Sequence, residues 1–204
     1  MKCRKIVFVI FVAIVLSASK SVFLWAGEPG KLIMDTIERS LTIRKEHSPE
    51  GEVKTKECEQ RLWVEISPIF DFEEMSKRAL GPHWKKRSPE EKKEFTELFI
   101  NILKNAYVGK TDTYSGEKIV YLSEKQDDNY AKVQTKFISN TGAETSVDFR
   151  LLNSQEKWYI YDVVIEGVSL VNNYRSQFNS ILVKSSYEEL VRVMKKKKEE
   201  TSQK

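Results

Sequence analysis

The chain has 204 residues, with 34 Lys and Arg against 30 Asp and Glu, and is 40% hydrophobic and 31% charged: enough apolar side chain for one core of ordinary size, and too much for a disordered polymer. Only 8 Gly and 5 Pro exclude collagen-like and low-complexity classes. The formal charge of +4 resides in residues 1–26, which hold Lys2, Arg4, Lys5 and Lys20 and no acid, so the rest of the chain is balanced and has no net pull on the phosphates of nucleic acid.

Those first residues are built like a secretory signal peptide: a basic start, the apolar run Ile6 to Leu16, then Ser17, Ala18 and Ser19. The run is too short to span a bilayer. Cleavage fits best after Ser19, with a site near Ala26 as the alternative, so residues 1–26 are assigned to the signal and 27–204 to a single domain with a Lys-rich tail. Cys3 precedes the apolar run, which leaves Cys58 alone in the mature chain, unable to form an intramolecular disulfide or a cysteine metal cluster.

Residues 28 to 109 read as helices. Ile33, Ile37 and Leu41 form an apolar stripe among Asp35, Glu38, Arg39 and Lys45, ending at the turn-rich Ser48-Pro49-Glu50-Gly51. A second helix is predicted over Lys54 to Ile66, with Cys58, Leu62 and Ile66 on one face and Pro68 closing it. Asp71 is the predicted N-cap of a short helix to Leu80, stopped by Gly81 and Pro82. Ser88-Pro89-Glu90-Glu91 combines a capping box with proline at the first helical position, and Phe95, Leu98, Phe99, Ile102 and Leu103 follow at core spacing up to Gly109.

After Gly109 the hydrophobic period falls from 3.6 to 2. Four strands are predicted, Glu117 to Leu122, Tyr130 to Ser139, Thr145 to Asn153 and Trp158 to Ile165, and their short connections imply an antiparallel meander. Ala131, Val133, Thr135 and Phe137 alternate with Lys132, Gln134 and Lys136, so one face is wet. The last strand is apolar on both faces, with Tyr159, Tyr161, Val163 and Ile165 on one side and Trp158, Ile160 and Val164 on the other. Gly167 lies where the chain must reverse. Val171, Tyr174, Phe178 and Ile181 then return to helical spacing, and a final helix runs from Tyr187 into Lys195 to Lys198.

The chain is poor in catalytic signatures. His47 and His83 have no second ligand at metal spacing, and there is no phosphate loop, nucleophile elbow or paired-His motif, so no metal and no cofactor are expected. Ser169 reads as the N-cap of the helix that starts at Leu170. Asp162, inside an apolar strand, is either paired or a general base in a cavity. Arg175 is either a ligand contact or a partner of Asp162 or Glu166. The lysine run is either a membrane-surface contact or a solvated helix end favourable to the helix dipole.

The segment from Trp158 through Tyr159-Ile160-Tyr161-Asp162-Val163-Val164-Ile165-Glu166-Gly167-Val168-Ser169-Leu170 to Phe178 resembles the signature of the MlaC, or toluene-tolerance auxiliary, family. The upstream residues agree in order and spacing: Phe70-Asp71-Phe72, Ala79-Leu80-Gly81-Pro82-His83-Trp84, and Ser88-Pro89-Glu90-Glu91 with Phe95, Phe99, Leu103 and Tyr107. The resemblance covers roughly Leu32 to Leu190; the polar Lys54 to Gln60 stretch and the Lys-rich tail depart from it. It implies a periplasmic phospholipid carrier working between an outer-membrane lipoprotein complex and an inner-membrane ABC transporter with a lipid-binding MCE-domain subunit. It also implies an α+β fold in which helices pack on a curved antiparallel sheet around an apolar cavity.

A carrier of this kind needs an exported domain, an apolar interior and no catalytic constellation. On this reading Phe99, Leu103, Val133, Phe137, Val147, Phe149, Tyr161 and Val163 line the cavity, with Val168 counted among the lipid-binding residues. Tyr107, Tyr174 and Arg175 form its polar mouth. A tightly packed core explains the same apolar pattern. The alternatives from other classes are a cone-shaped α+β enzyme with Asp162 as base, and an adaptor that binds only protein.

Overall fold

The structure, a computed structural model, describes residues 27–47, 56–108 and 118–202. Its first part is helical, with α1 at Glu28–His47, α2 at Lys56–Ile66, α3 at Phe72–Leu80 and α4 at Pro89–Tyr107. Then come strands β1 Lys118–Asp127, β2 Tyr130–Ile138, β3 Glu144–Ser154, β4 Lys157–Ile165 and β5 Val168–Ser169, followed by α5 Leu170–Lys184 and α6 Tyr187–Ser202. The signal segment, the break at residues 48–51 and Gly109 lie outside the described residues.

Helix starts follow the local chemistry of capping. Asp71 Oδ1 accepts the Glu74 amide at 2.8 Å at the start of α3. At α4, Ser88 Oγ accepts from the Glu91 amide at 3.2 Å while the Glu91 carboxylate accepts from the Ser88 amide at 2.8 Å, completing the box. Ser169 Oγ accepts the Asn172 amide at 3.1 Å at α5. Gly81 ends α3 with φ +58°, and the chain continues at once as a 3-10 turn over Gly81–Lys86.

The sheet is an open antiparallel meander in the order β1-β2-β3-β4-β5. It has five strands where the sequence predicts four. The extra one is the two-residue β5, folded back on Val164 and Ile165 by Glu166 and Gly167, both at positive φ (48° and 77°) as a tight primed hairpin turn requires. β1 also runs five residues past its expected end at Leu122, to Asp127. The reason is a bulge: Tyr121 pairs with Thr135 but Ser123 pairs with Gln134, so Leu122 is extruded and the alternation restarts in the polar stretch that follows.

A second bulge corrects the faces of β4. Arg150 pairs with Asp162 and Leu151 with Ile160, leaving Tyr161 as the extra residue. Ile160 and Val163 therefore lie on one face, opposite Leu151 and Phe149, whereas unbroken alternation separates them. That face also holds Ile119, Tyr121, Ala131, Val133, Phe137, Val147 and Ile165 by register. The other face is polar, with Lys132 paired to Asp148 and Lys136 to Glu144, each at 2.7 Å.

Helix α1 covers the apolar face. Ile33 packs with Ala131, Val133, Leu151 and Ile160, and Glu124 Oε2 accepts the Gly30 amide at 2.7 Å in the first turn of α1. The remaining core is helical: α3, α4, α5 and α6 share a cluster centred on Phe95, Phe99, Tyr174 and Phe178, whose rings meet edge-on or tilted at 5.1–6.1 Å. Cys58 and Leu62 of α2 close over Val108. Among the described residues no helix is long and apolar enough to cross a membrane.

Candidate functional site

Two cavities lie between the helices and the apolar face of the sheet. The larger, about 240 Å³, runs under α1: Ile33, Ile37 and Leu41 form its roof, Ile119, Phe137, Phe149 and Ile160 its floor, and Ile66, Ile69 and Phe70 its end wall. Thr36, Ser40 and Arg44, on the same helix, give it a polar border. The Ser40 hydroxyl is buried without a hydrogen-bond partner among the described residues. The Thr36 hydroxyl accepts from Arg39 at 3.1 Å.

The smaller cavity, about 140 Å³, lies beyond Ile66 and Phe70, which line both. Its other walls are Trp63, Phe72, Met75, Leu103, Tyr107, Val108, Val163, Ile165 and Leu170. The 67–71 segment that carries Phe70 is fastened to the free edge of β4, where the Asp71 amide donates to Ile160 O at 2.9 Å. The Phe70 ring stacks on Phe72 with centroids 5.5 Å apart.

The twelve residues expected at the site are thus distributed between cavity and core. Phe137 and Phe149 line the larger cavity; Leu103, Tyr107 and Val163 line the smaller. Val133 and Val147 are on the correct face but buried in packing, and neither lines either of these two cavities. Phe99 and Tyr174 belong to the helical core, where burial, and secondarily Tyr107, pushes the Tyr174 hydroxyl up to about 12. The bulge removes Tyr161 to the other side, where the Arg78 guanidinium lies 4.1 Å over its ring. Val168 is 60% exposed on β5. Arg175 lies against Gly81, where a Cβ would come within 3.1 Å of its Nε; neither Arg175 nor Tyr174 lines either of the two cavities.

Asp162 is paired, but not with Arg175. Its carboxylate is 4% exposed and accepts from Ser169 Oγ at 2.7 Å, the Val171 amide at 3.0 Å and Arg150 Nη1 at 3.1 Å. It therefore caps the start of α5 together with Ser169, outside both cavities. Glu166 accepts the Ser146 amide instead. Of the lysine run on α6, Lys195 pairs with Glu94 of α4 at 2.7 Å and the Lys197 ammonium lies 5.8 Å from the Tyr174 ring. Among the described residues no group of three or more His, Cys, Asp or Glu could hold a metal ion.

Sequence reasoning missed the roof and the dividing wall. Ile33, Ile37 and Leu41 were visible as a stripe, yet a stripe that lines a space and one that packs look alike in sequence. Polar residues flanking that stripe, Thr36, Ser40 and Arg44, are the signal that could have marked a mouth.

A family model described as MlaC protein matches residues 34–196. The chain is 26% identical over 135 residues to the intermembrane phospholipid transport system binding protein MlaC of Haemophilus influenzae, a match covering 64% of this chain and 63% of that protein. It is 28% identical over 115 residues to the toluene tolerance protein ttg2D of Pseudomonas putida, covering 55% and 54% respectively. These matched stretches span less than two thirds of either relative's own length. Among solved structures, a phospholipid-binding protein from Ralstonia solanacearum, in complex with a phospholipid, superposes with a TM-score of 0.76 over 86% of this chain and 99% of that one. At 21% identity that likeness is one of fold. With the family model matched from α1 into α6, and the helices and meander arranged as that family's resemblance implied, this chain belongs to the MlaC protein family.

Proposed function

We propose that this chain is a periplasmic phospholipid carrier. It takes lipid from, or delivers it to, an outer-membrane lipoprotein complex on one side and an inner-membrane ABC transporter with its MCE-domain subunit on the other, and so maintains the lipid asymmetry of the outer membrane. The observation that carries this reading is the larger cavity, whose roof and floor are apolar and whose border bears Thr36, Ser40 and Arg44. Acyl chains fit the first environment and a phosphate headgroup the second; the unpartnered Ser40 hydroxyl is a donor suited to a phosphate or ester oxygen. Names of relatives point the same way: the H. influenzae protein is a phospholipid transport binding protein, and the R. solanacearum fold holds a phospholipid.

The energetics favour a carrier that needs help to unload. Each buried methylene contributes about 0.8 kcal/mol, so one chain of about fifteen carbons gives roughly 12 kcal/mol before ordering costs. Spontaneous release is slow on that scale, and delivery calls for a partner with higher affinity for an opened state. The test is direct: purify the mature protein from a bacterial envelope, extract it with organic solvent and examine the extract by mass spectrometry. Near-stoichiometric phospholipid is expected, together with its transfer between donor and acceptor vesicles. A protein that purifies empty and takes up no phospholipid from vesicles overturns the reading.

A further inference from the structure

We propose that Phe70 is a movable partition that sets whether the site holds one acyl chain or two, an inference that rests on the lipid-carrier reading above. Both cavities, about 240 and 140 Å³, fall below the roughly 300–1,000 Å³ of sites for drug-sized ligands. Neither space alone holds two acyl chains, so a two-chain lipid has to use both spaces and widen them. Among the described residues only Ile66 and Phe70 are common to both walls. The polar border belongs to the larger space alone; the smaller is lined by apolar side chains and Tyr107. A lipid whose headgroup rests at Ser40 and Arg44 thus places a first chain under α1, and its second chain reaches the smaller space past the wall of Ile66 and Phe70, of which Phe70 has the larger side chain.

The geometry assigns the motion to the ring rather than the backbone. The backbone is held at β4 by the bond from the Asp71 amide to Ile160 O, at 2.9 Å. The half-buried ring turns about two side-chain bonds, and its closed position is a stack on Phe72, 12° from parallel. Turning the ring off that stack exposes the row formed by Phe72 and Trp63, whose rings are 5.6 Å apart and which both line the smaller space. A second chain covers that row in place of Phe70.

The experiment measures the affinities of delipidated protein for two probes with the same palmitoyl chain, lysophosphatidylglycerol and phosphatidylglycerol, by competition against a fluorescent lipid. Phe70→Ala is expected to raise the preference for the two-chain lipid, and Phe70→Trp to lower it, by about tenfold each, the worth of room for two methylenes. Filling the smaller space from its far side, with Leu103→Phe or the less buried Ile165→Phe, lowers the same ratio. Thermal melts of each delipidated variant confirm folding, and Phe70→Leu replaces Phe70→Ala if the latter does not fold. Equal changes for both probes, or no change in any variant, overturn the partition while leaving the carrier reading intact. Wild-type protein that binds neither probe overturns the carrier reading, and the partition with it.

Discussion

Replacing Asp162 separates a structural carboxylate from a catalytic one. In Asp162→Ala the Val171 amide loses its acceptor in a buried position, a cost of about 1–3 kcal/mol. Ser169 Oγ loses its acceptor too, but a hydroxyl rotates toward other partners and its share is smaller. Arg150 is 40% exposed and regains water, so its ion pair adds little. Loss of a buried negative charge at the first turn of α5 adds roughly 1 kcal/mol. The total is about 3 kcal/mol, a large part of the stability of an ordinary domain. Asp162→Asn keeps an oxygen for Val171 and presents its amide to Ser169, so it costs about 1 kcal/mol. Urea denaturation reads both: with a slope near 2 kcal/mol/M the alanine variant's midpoint falls by about 1.5 M and the asparagine variant's by about 0.5 M, the slope itself unchanged. A combined variant with Ser169→Ala is expected to lose less than the sum of the two single changes, because the residues share one cap. An alanine variant that melts within about 0.5 kcal/mol of wild type, or one no worse than asparagine, refutes the capping account.

Three further outcomes are expected. Ile37→Trp, placed in the roof of the larger cavity, is expected to abolish bound phospholipid, measured by mass spectrometry of extracts, while the delipidated melting temperature holds; Val147→Trp, on the same face but lining neither cavity, overpacks and costs about 1–3 kcal/mol. Gly167→Val forces a β-branched residue to φ +77° with open space around it, so the cost is purely one of backbone, about 1–2 kcal/mol or roughly 2–8 °C in Tm, and Gly167→Asn is nearly neutral. Burial raises the hydroxyls of Tyr174 and Tyr187 from 10.0 to about 12, so the unfolded chain releases these protons first: stability from both is intact below pH 10 and is lost as pH rises toward 12, a fall in Tm that Tyr174→Phe makes shallower.

What was legible in the sequence was local. Asp71, Ser88 with Glu91, and Ser169 cap the helices they announce because a cap needs only a side chain and an amide two or three residues away. The meander was legible for the same reason, its turns being two to five residues long. The site was less so, because two bulges intervene. Extrusion of Leu122 hides five residues of β1 in a polar stretch, and the extra residue at Tyr161 reverses the faces of the rest of β4. Phe99 and Leu103 are one helical turn apart and both belong to the helical core, yet of the two Leu103 alone also faces the smaller cavity. That difference is made by residues of other elements, Trp63 and Phe72 among them, and no periodicity within α4 encodes it.

The roof helix α1 is the earliest described element, while the strands it covers extend to Ile165. The bond from Glu124 to the Gly30 amide already spans 94 residues, and the packing of Ile33 on Ile160 spans more. The sheet, by contrast, joins only neighbours in sequence. On the periplasmic reading the chain folds only after export, and the stripe of Ile33, Ile37 and Leu41 has no floor until the strands up to Ile165 have paired. The contacts of α1 with the sheet are thus among the least local in the fold, the kind whose long loop closure slows folding. The exposed charges of Glu38, Arg39 and Lys45 favour solvation of that helix until its apolar stripe is covered.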